Sequence, residues 1–393
     1  MKFINRFFKK ELFYYYFLGL GAFFVLFLFT FRLSSLNVGM NKSEISLINS
    51  SSSINTLLSN SINLPFKVFI YLFNIIYAHH IFVYRFTSVI WALIFIYLFY
   101  LVIKKKFGPN IATILAILLM CSAWVLHISR TAVPDVMYLS TVLIFWFRDY
   151  LRVNKNINRI FLILVSIIVF YLYTPGMIWI GLIGILWQRK VIRELLSRLD
   201  RKILILIGTY GIILTIPLIF STVNHPSHLL TILGLPDSRP NLLTIFETFL
   251  RLPYFVLVSM PMNPILWLGA TPLLDFFTSS LILIGLYRYI REWPNNYIKI
   301  ILTTLLVSFI LYSLCGPVSL TLIIIPLYLI AATGLSYLIT KWFKVFPRNP
   351  IPRLLGSILI VLALFVSVIY NTRSYFIAWP NNSKTTQYYT NIP

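Results

Sequence analysis

Long apolar stretches alternate with polar gaps along almost the whole chain. A membrane-spanning helix needs about 20 predominantly apolar residues, and by that measure the pattern predicts eleven spans. They lie near residues 12–33, 82–103, 110–129, 134–147, 159–174, 175–188, 203–221, 275–290, 298–315, 317–340 and 354–370. The pattern therefore predicts an all-α integral membrane protein with about eleven transmembrane helices.

Two polar gaps are much longer than the rest, at 34–84 and 222–274. The first turns amphipathic at 64–76, and the second does so at 244–251. Aromatic and aliphatic residues on most faces of a short helix suit a position in the membrane interface. We therefore expect one interfacial helix in each of these two loops, the first and fourth loops of their side.

The basic residues are sorted between the two sets of gaps, and 24 of the 33 Lys and Arg residues fall on one side. They are Lys2, Arg6, Lys9, Lys10, Lys104, Lys105, Lys106, Arg148, Arg152, Lys155, Arg159, Arg189, Lys190, Arg193, Arg198, Arg201, Lys202, Arg288, Arg291, Lys299, Lys341, Lys344, Arg348 and Arg353. Basic residues in short loops mark the cytoplasmic face, so this basic side predicts a cytoplasmic N-terminus. An odd number of spans then places the C-terminus outside a multi-pass cell-membrane protein.

Composition supports this interpretation of the charge. Hydrophobic residues make up 59% of the chain and charged residues 11%, whereas soluble domains carry about 25% charged residues. A nucleic-acid-binding protein clusters its basic residues on one soluble surface. The net charge of +23 therefore indicates membrane topology, and we expect no nucleic-acid partner.

Candidate chemistry collects on the side opposite the basic side. All five histidines and half of the acidic residues lie there, and no Asp, Glu, Lys or Arg falls near the middle of a predicted span. Transporters and proton relays usually carry such residues along a midplane path. The titratable chemistry is therefore expected at the outer interface.

Asp135 and Arg130 flank the turn between the third and fourth predicted spans, in the sequence Ser129-Arg-Thr-Ala-Val-Pro-Asp135. Pro134 suits the first turn of a helix, where free N–H groups and the helix dipole stabilise a carboxylate. Two interpretations stay open: a helix-start cap paired with Arg130, or a carboxylate that takes part in chemistry.

Glu44 and Arg85 are the other two candidates. Glu44 is the acidic residue of the first outer loop, and Arg85 opens the second span. A loop glutamate is commonly just solvated. An arginine at the end of a span either extends toward lipid headgroups or holds a lipid phosphate.

The order of these features resembles the membrane glycosyltransferases of the GT-C fold, of the protein O-mannosyltransferase and aminoarabinose-transferase type. A first span is followed by an outer loop with an acid, an interfacial helix, Arg85, and a hairpin with Arg130-x-x-x-x-Asp135. The stretch 267–275, which ends at Asp275, adds a looser likeness. The resemblance implies a catalytic transmembrane half at 1–202 with the outer loop 34–84, and a C-terminal half at 203–393 with the outer loop 222–274 and an outer tail 371–393.

The resemblance also implies an activity. Proteins of this type move a sugar from a polyprenyl-phosphate carrier to a lipid, glycan or protein acceptor on the outer face. The acceptor hydroxyl needs a carboxylate base, and the leaving phosphate needs cations. Carried over by position, Glu44 and Asp135 are the candidate catalytic acids, and Arg85 and Arg130 bind the donor phosphate. Ser43-Glu44 stands where the family usually has an Asp-Glu pair.

Other functions stay open at this point. A flippase or transporter for lipid-linked sugars is one alternative, and a non-catalytic envelope scaffold of the same fold is another. A divalent cation is also left open as a cofactor, because His225-x-x-His228 has helical ligand spacing, although no Cys or carboxylate stands nearby. Asp275 is most simply a helix-start carboxylate, and membrane lipids are expected partners.

Overall fold

The computed structural model describes residues 10–36, 39–77, 80–154, 156–260, 271–292 and 296–389. Within these ranges the chain is helical and contains no β-strand. The helices of the first half are α1 (Lys10–Thr30), α2 (Lys42–Asn49), α3 (Ile54–Ser59), α4 (Leu64–Ile76), α5 (Ile81–Phe107), α6 (Pro109–Cys121), α7 (Ala123–Ser129), α8 (Val142–Val153), α9 (Ile157–Leu172) and α10 (Met177–Leu196).

The second half continues the same architecture. Its helices are α11 (Arg201–Asn224), α12 (Ser227–Leu233), α13 (Leu242–Leu257), α14 (Phe276–Arg291), α15 (Asn296–Ser313), α16 (Ile324–Val345), α17 (Pro350–Arg373) and α18 (Ser383–Tyr388). Two 3₁₀ helices, Pro134–Thr141 and Leu320–Ile323, lead into α8 and α16, and a π-helical turn, Ser374–Ala378, follows α17.

Each predicted span coincides with a helix or with a pair of joined helices. Among the described residues, α5, α11, α15, α16 and α17 are long and apolar enough to cross a membrane. A sixth span results if α6 and α7 are one crossing, bent by 63°. The all-α, multi-pass membrane architecture is confirmed, whereas the number eleven stays a prediction, since the remaining apolar helices are shorter.

The two amphipathic segments are helical as expected. The segment 64–76 is α4, and 244–251 lies inside α13. Their position in a membrane interface stays a prediction.

The bend between α6 and α7 has an identifiable structural cause. Ser122 leaves the helical conformation, so the helical hydrogen-bond ladder is interrupted there. The amide of Ala123 instead donates to Oδ1 of Asn371 in α17, at 3.1 Å. A side chain from a distant helix thus stabilises the break.

Helices α14 and α16 pack with their backbones in contact. A Cβ atom on Gly285 would lie 2.2 Å from the carbonyl oxygen of Ile330, and one on Gly334 would lie 1.9 Å from that of Leu281. Only glycine permits this approach, which is typical of packing between membrane helices. The two glycines therefore set how closely α14 and α16 approach.

Candidate functional site

Glu44 and Arg85 form a fully buried ion pair. Glu44 is the third residue of α2, and its Oε2 accepts from the amide of Asn41, as in a capping box. Arg85 Nε donates to Oε1 at 3.0 Å, and Nη2 donates to Oε2 at 3.2 Å. The amide of Ala132 donates to Oε1 at 2.8 Å. The carboxylate therefore has four hydrogen bonds and an opposite charge beside it.

Arg85 also ties together the chain that leaves α1. Its Nη1 donates to the carbonyl of Leu33 at 3.0 Å, and Nη2 donates to that of Gly39 at 2.9 Å. The exposed fractions of the Glu44 and Arg85 side chains are 0% and 3%. The pair joins α2, α5 and the turn after α7, so it acts first as an anchor of the first outer loop.

Arg130 has a similar position at the end of α7. Its Nη1 donates to the carbonyl of Leu28 at 2.7 Å, Nη2 donates to that of Phe31, and Nε donates to the Tyr375 hydroxyl at 3.2 Å. The last carbonyls of a helix lack partners within it, and cations there are favoured by the helix dipole. Arg130 therefore stabilises the C-terminal end of α1.

This geometry departs from one of the two interpretations of the Arg130–Asp135 turn. Among the described residues, Asp135 forms no ion pair with Arg130, and its side chain does not cap the 3₁₀ helix that begins at Pro134. The expectation that Pro134 starts a helix is confirmed. Of the two interpretations left open, a helix-start cap paired with Arg130 is wrong, because Arg130 donates to carbonyls at the end of α1 instead.

Asp135 instead contacts the loop that precedes the second 3₁₀ helix. Ser319 Oγ donates to Asp135 Oδ2 at 3.1 Å. The same hydroxyl accepts from the amide of Thr321 at 3.3 Å and lies 3.0 Å from the Thr321 hydroxyl. Asp135 is half-buried, and its Oδ1 has no hydrogen bond to any described residue. One carboxylate oxygen is thus held in place while the other is available.

Three glycines fix the loop that carries Ser319. Gly176 and Gly234 both have positive φ, at 71° and 75°, and a Cβ on either would lie 2.7 Å from Val318. A Cβ on Gly316 would lie 2.7 Å from the carbonyl oxygen of Gly234. Three loops therefore meet closely around the Val318 side chain, and this contact sets the position of Ser319 beside Asp135.

The C-terminal tail covers the buried charges with aromatic rings. Tyr375 and Trp379 stack with ring centroids 5.2 Å apart. The His127 ring makes a T-shaped contact with each of them, with centroid distances of 4.8 Å to Tyr375 and 4.4 Å to Trp379. The Tyr389 ring lies 5.9 Å from the guanidinium of Arg85, and burial raises the pKa of Tyr389 well above its ordinary value. The tail is therefore part of the candidate site.

A second polar cluster, formed by Asp275 and Asn371, lies next to this aromatic cluster. Asp275 caps α14 by accepting from the amide and hydroxyl of Thr278 at 3.1 and 2.7 Å, so the prediction of a helix-start carboxylate is confirmed. Asn371 Nδ2 donates to Asp275 Oδ1 at 3.2 Å. A cavity of about 10 Å³ between Asp275, Asn371 and His127 has room for about one water molecule.

Lys67 is a buried cation on the opposite side from the basic side. It belongs to α4, is 3% exposed, and donates from Nζ to the carbonyl of Asn60 at 2.8 Å. Burial lowers the pKa of Lys67 to about 8. Its neighbour His228 shares a hydrogen bond with Ser221 Oγ at 2.8 Å, and burial lowers the pKa of His228 as well.

The two histidines of the predicted metal site, His225 and His228, lie close together. The rings of His225 and His228 lie 5.1 Å apart. Within the described ranges, no three His, Cys, Asp or Glu side chains are grouped as metal ligands. His79 and the stretch 261–270, which includes four of the nine residues of the second-half likeness, lie outside the described residues.

Sequence reasoning missed several residues of this region. Ser319, Asn371, Tyr375 and Trp379 sit in apolar or polar stretches that carry no motif. His127 lies on an apolar helix, and both of its ring nitrogens lack a hydrogen-bond partner among the described residues. Polar residues within or beside predicted spans were the one available signal, because buried polar groups in membrane helices are rare and costly.

Comparison with known proteins finds a likeness in structure alone. No protein-family model matches the chain, and no curated protein matches it by sequence. ArnT from Cupriavidus metallidurans in the apo state superposes with a TM-score of 0.59 at 12% identity, over 94% of this chain and 78% of ArnT. The same protein bound to undecaprenyl phosphate gives 0.55 at 11% identity, over 95% and 76%. The chain therefore has the GT-C fold of the aminoarabinose transferase ArnT.

Proposed function

We propose that this protein is a membrane glycosyltransferase that moves a sugar from a polyprenyl-phosphate carrier to an acceptor of the cell envelope on the outer face. The fold shared with ArnT over 94% of the chain is the observation that carries the proposal. ArnT has been seen with undecaprenyl phosphate bound, which supports a lipid carrier of the same chemical class. The sugar and the acceptor, whether lipid, glycan or protein, are not specified by this likeness.

Asp135 is the general base in this proposal. A base must receive the proton of the acceptor hydroxyl, so it needs an accessible oxygen with a free lone pair. Asp135 is half-buried and its Oδ1 accepts no hydrogen bond within the described part of the chain, while Ser319 holds the other oxygen at 3.1 Å. Glu44 meets this requirement poorly, because its side chain is fully buried and both oxygens accept from donors. Glu44 serves as a base only if this network opens.

Arg85 and Arg130 remain the proposed source of positive charge for the departing phosphate. Direct contact with the phosphate requires some of their N–H groups to leave the carbonyls of Leu33, Leu28 and Phe31. In the present geometry they act by positioning, since they fix the end of α1 and the first outer loop. Lys67 is a third cation on the same side, and its pKa of about 8 leaves it mostly protonated at neutral pH.

The experiment is sugar transfer in membranes that contain this chain, supplied with a panel of radiolabelled polyprenyl-phosphate sugars. Asp135→Asn keeps the size and the Ser319 contact but removes the base. We expect transfer to fall at least 100-fold, the usual contribution of general base catalysis. Asp237→Asn is the matched control, because Asp237 is an exposed carboxylate on the same side.

The outcomes separate the proposal from its rivals. Full activity of Asp135→Asn removes Asp135 from the mechanism, and Glu44→Gln in the same panel then tests the second acid. Movement of the intact lipid-linked sugar across the vesicle membrane, without transfer of the sugar to an acceptor, supports a flippase. Absence of both activities from intact, correctly inserted protein supports a scaffold.

A further inference from the structure

An apolar groove lies between three helices of the bundle. It has a volume of about 610 Å³ and runs between α6, α16 and α17, with Phe277 of α14 also in its wall. Its lining includes Ile111, Ile114, Leu338, Phe343 and Leu359. Since α16 and α17 are long and apolar enough to cross a membrane, we expect the groove to face hydrocarbon.

The shape of the groove is fixed by a glycine and a tryptophan. Trp342 at the end of α16 donates from Nε1 to the carbonyl of Pro352 in α17, at 2.8 Å. A Cβ on Gly356 would lie 2.3 Å from that indole nitrogen. The indole therefore lies against α17 at Gly356 and forms one wall, which makes the groove a built feature of the helix packing.

One end of the groove opens at a strongly basic edge. Lys341 and Lys344 lie in the last turns of α16, Arg348 lies in the connecting turn, and Arg353 lies in the first turn of α17. Arg353 donates from Nε to the carbonyl of Phe346 at 2.8 Å, and its guanidinium lies 5.2 Å from the ring of Phe343, a lining residue. The sequence contains no Asp or Glu after Glu292, and none of these four residues forms an ion pair within the described part of the chain.

Helix termini add to the positive potential at the same edge. α6 begins at Pro109 and α17 begins at Pro350, and Pro109 lines the groove. The Asn349 side chain caps α17 by accepting from the Ile351 amide at 3.1 Å, and each helix still directs the positive end of its dipole toward this edge. The edge therefore combines basic side chains with two helix N-termini beside an apolar groove.

We propose that this groove binds an anionic glycerophospholipid from the leaflet on the basic side. An acyl chain occupies the groove, and the headgroup phosphate contacts the basic side chains of 341–353, from the end of α16 to the start of α17. Basic pockets between membrane helices bind anionic headgroups in this way. The proposal is independent of the glycosyl-transfer proposal, because the groove opens at the basic side and Asp135 lies on the other.

The test is native mass spectrometry of the full-length protein, purified in detergent and stripped of lipid. Phosphatidylglycerol and phosphatidylcholine with identical acyl chains are titrated, and the bound fractions give the dissociation constants. We expect a clear preference for phosphatidylglycerol. In the double variant Lys341→Gln/Lys344→Gln the affinity for phosphatidylglycerol falls roughly 10- to 30-fold, since each basic residue near an anionic headgroup contributes about a factor of five.

Two further variants separate charge from the groove itself. Lys190→Gln/Lys202→Gln removes two exposed lysines of the same side and is expected to keep the preference. Ala363→Trp fills the groove and is expected to reduce retention of both lipids, with an unchanged melting temperature.

Three results overturn the proposal. The first is equal affinity of the wild type for the two phospholipids. The second is an equal loss of affinity in the Lys190/Lys202 control. The third is a variant Ala363→Trp that keeps phosphatidylglycerol and loses polyprenyl phosphate, which assigns the groove to the sugar carrier instead.

Discussion

At the scale of single residues, the Glu44–Arg85 pair decides how the first outer loop is held. Removing one partner from a buried ion pair leaves an uncompensated charge and costs about 3–5 kcal/mol. We therefore expect Glu44→Gln to lower the free energy of unfolding by that amount. Arg85→Met should do the same, because it also strips the donors from Leu33 and Gly39.

A double-mutant cycle measures the coupling in this pair. Glu44→Gln/Arg85→Met is expected to cost clearly less than the two single changes together, as followed by denaturant unfolding in micelles. The exposed pair Arg198–Glu194, with side chains 61% and 65% exposed, is the control, and Glu194→Gln should change stability by less than about 1 kcal/mol. Additive effects of the Glu44 and Arg85 changes would contradict a shared anchoring role.

The burial of Lys67 makes the free energy of unfolding depend on pH. Its folded pKa of about 8 is below the unfolded value of about 10.4. Below pH 8 the lysine is charged in both states, and the burial penalty, about 3 kcal/mol, acts in full. Between pH 8 and about pH 10.4 the folded state binds fewer protons than the unfolded state, so its stability rises with pH.

The substitution Lys67→Met removes this penalty and one hydrogen bond to Asn60, which contributes about 1 kcal/mol. We expect the variant to be more stable than the wild type by about 2 kcal/mol at pH 7, with the difference shrinking toward pH 10. Melting temperatures of both proteins across this range are the measurement, and Lys42→Met, at an exposed position, is the control. A difference that does not change with pH would contradict the burial effect.

At the scale of elements, the α14–α16 contact depends on two glycines. Gly334→Ala would place a Cβ 1.9 Å from the carbonyl oxygen of Leu281, so the helices must separate and lose packing along their length. We expect a loss of at least about 3 kcal/mol, as for severe overpacking, seen as a lower melting temperature. Gly208→Ala is the matched control, since nothing lies within 4 Å of that position in α11; there alanine's helix propensity should stabilise by up to about 1 kcal/mol.

Of the features of this fold, the positions of the helices were predicted best from the sequence. Helix positions follow from local apolar runs, and Pro134 and Asp275 mark helix starts through local chemistry. The bend at Ser122 was not predictable, because the group that stabilises it is Asn371, 248 residues away. Neither proline nor glycine marks this break in the sequence, so local signals could not reveal it.

The candidate site shows the same limit more sharply. The sequence singled out Glu44, Arg85, Arg130 and Asp135 by residue type and place. Their actual partners lie far along the chain: Glu44 and Arg85 are 41 residues apart, and Ser319 is 184 residues from Asp135. Which acid is buried and which is accessible depends on these long-range contacts, so the choice of Asp135 over Glu44 required the structure.

At the scale of the whole molecule, the sorted charges predict which face meets the cytoplasm. If the basic side is cytoplasmic, Asp135, Lys67 and the first outer loop face outward, where the proposed acceptor would be. Single cysteines test this orientation in a background with Cys121→Ser and Cys315→Ser. Ser52→Cys lies on an exposed turn of the first outer loop, and Ser197→Cys lies at the exposed end of α10.

A membrane-impermeant maleimide applied to intact cells should label Ser52→Cys and leave Ser197→Cys unlabelled until the membrane is permeabilised. The physical reason is the retention of basic loops on the cytoplasmic side during insertion. The cysteine-free background controls for other thiols, and equal labelling of both variants after permeabilisation shows that both positions are reachable. The reverse pattern in intact cells would place Asp135 in the cytoplasm, and it would contradict a transferase acting on the outer face even if sugar transfer itself were observed.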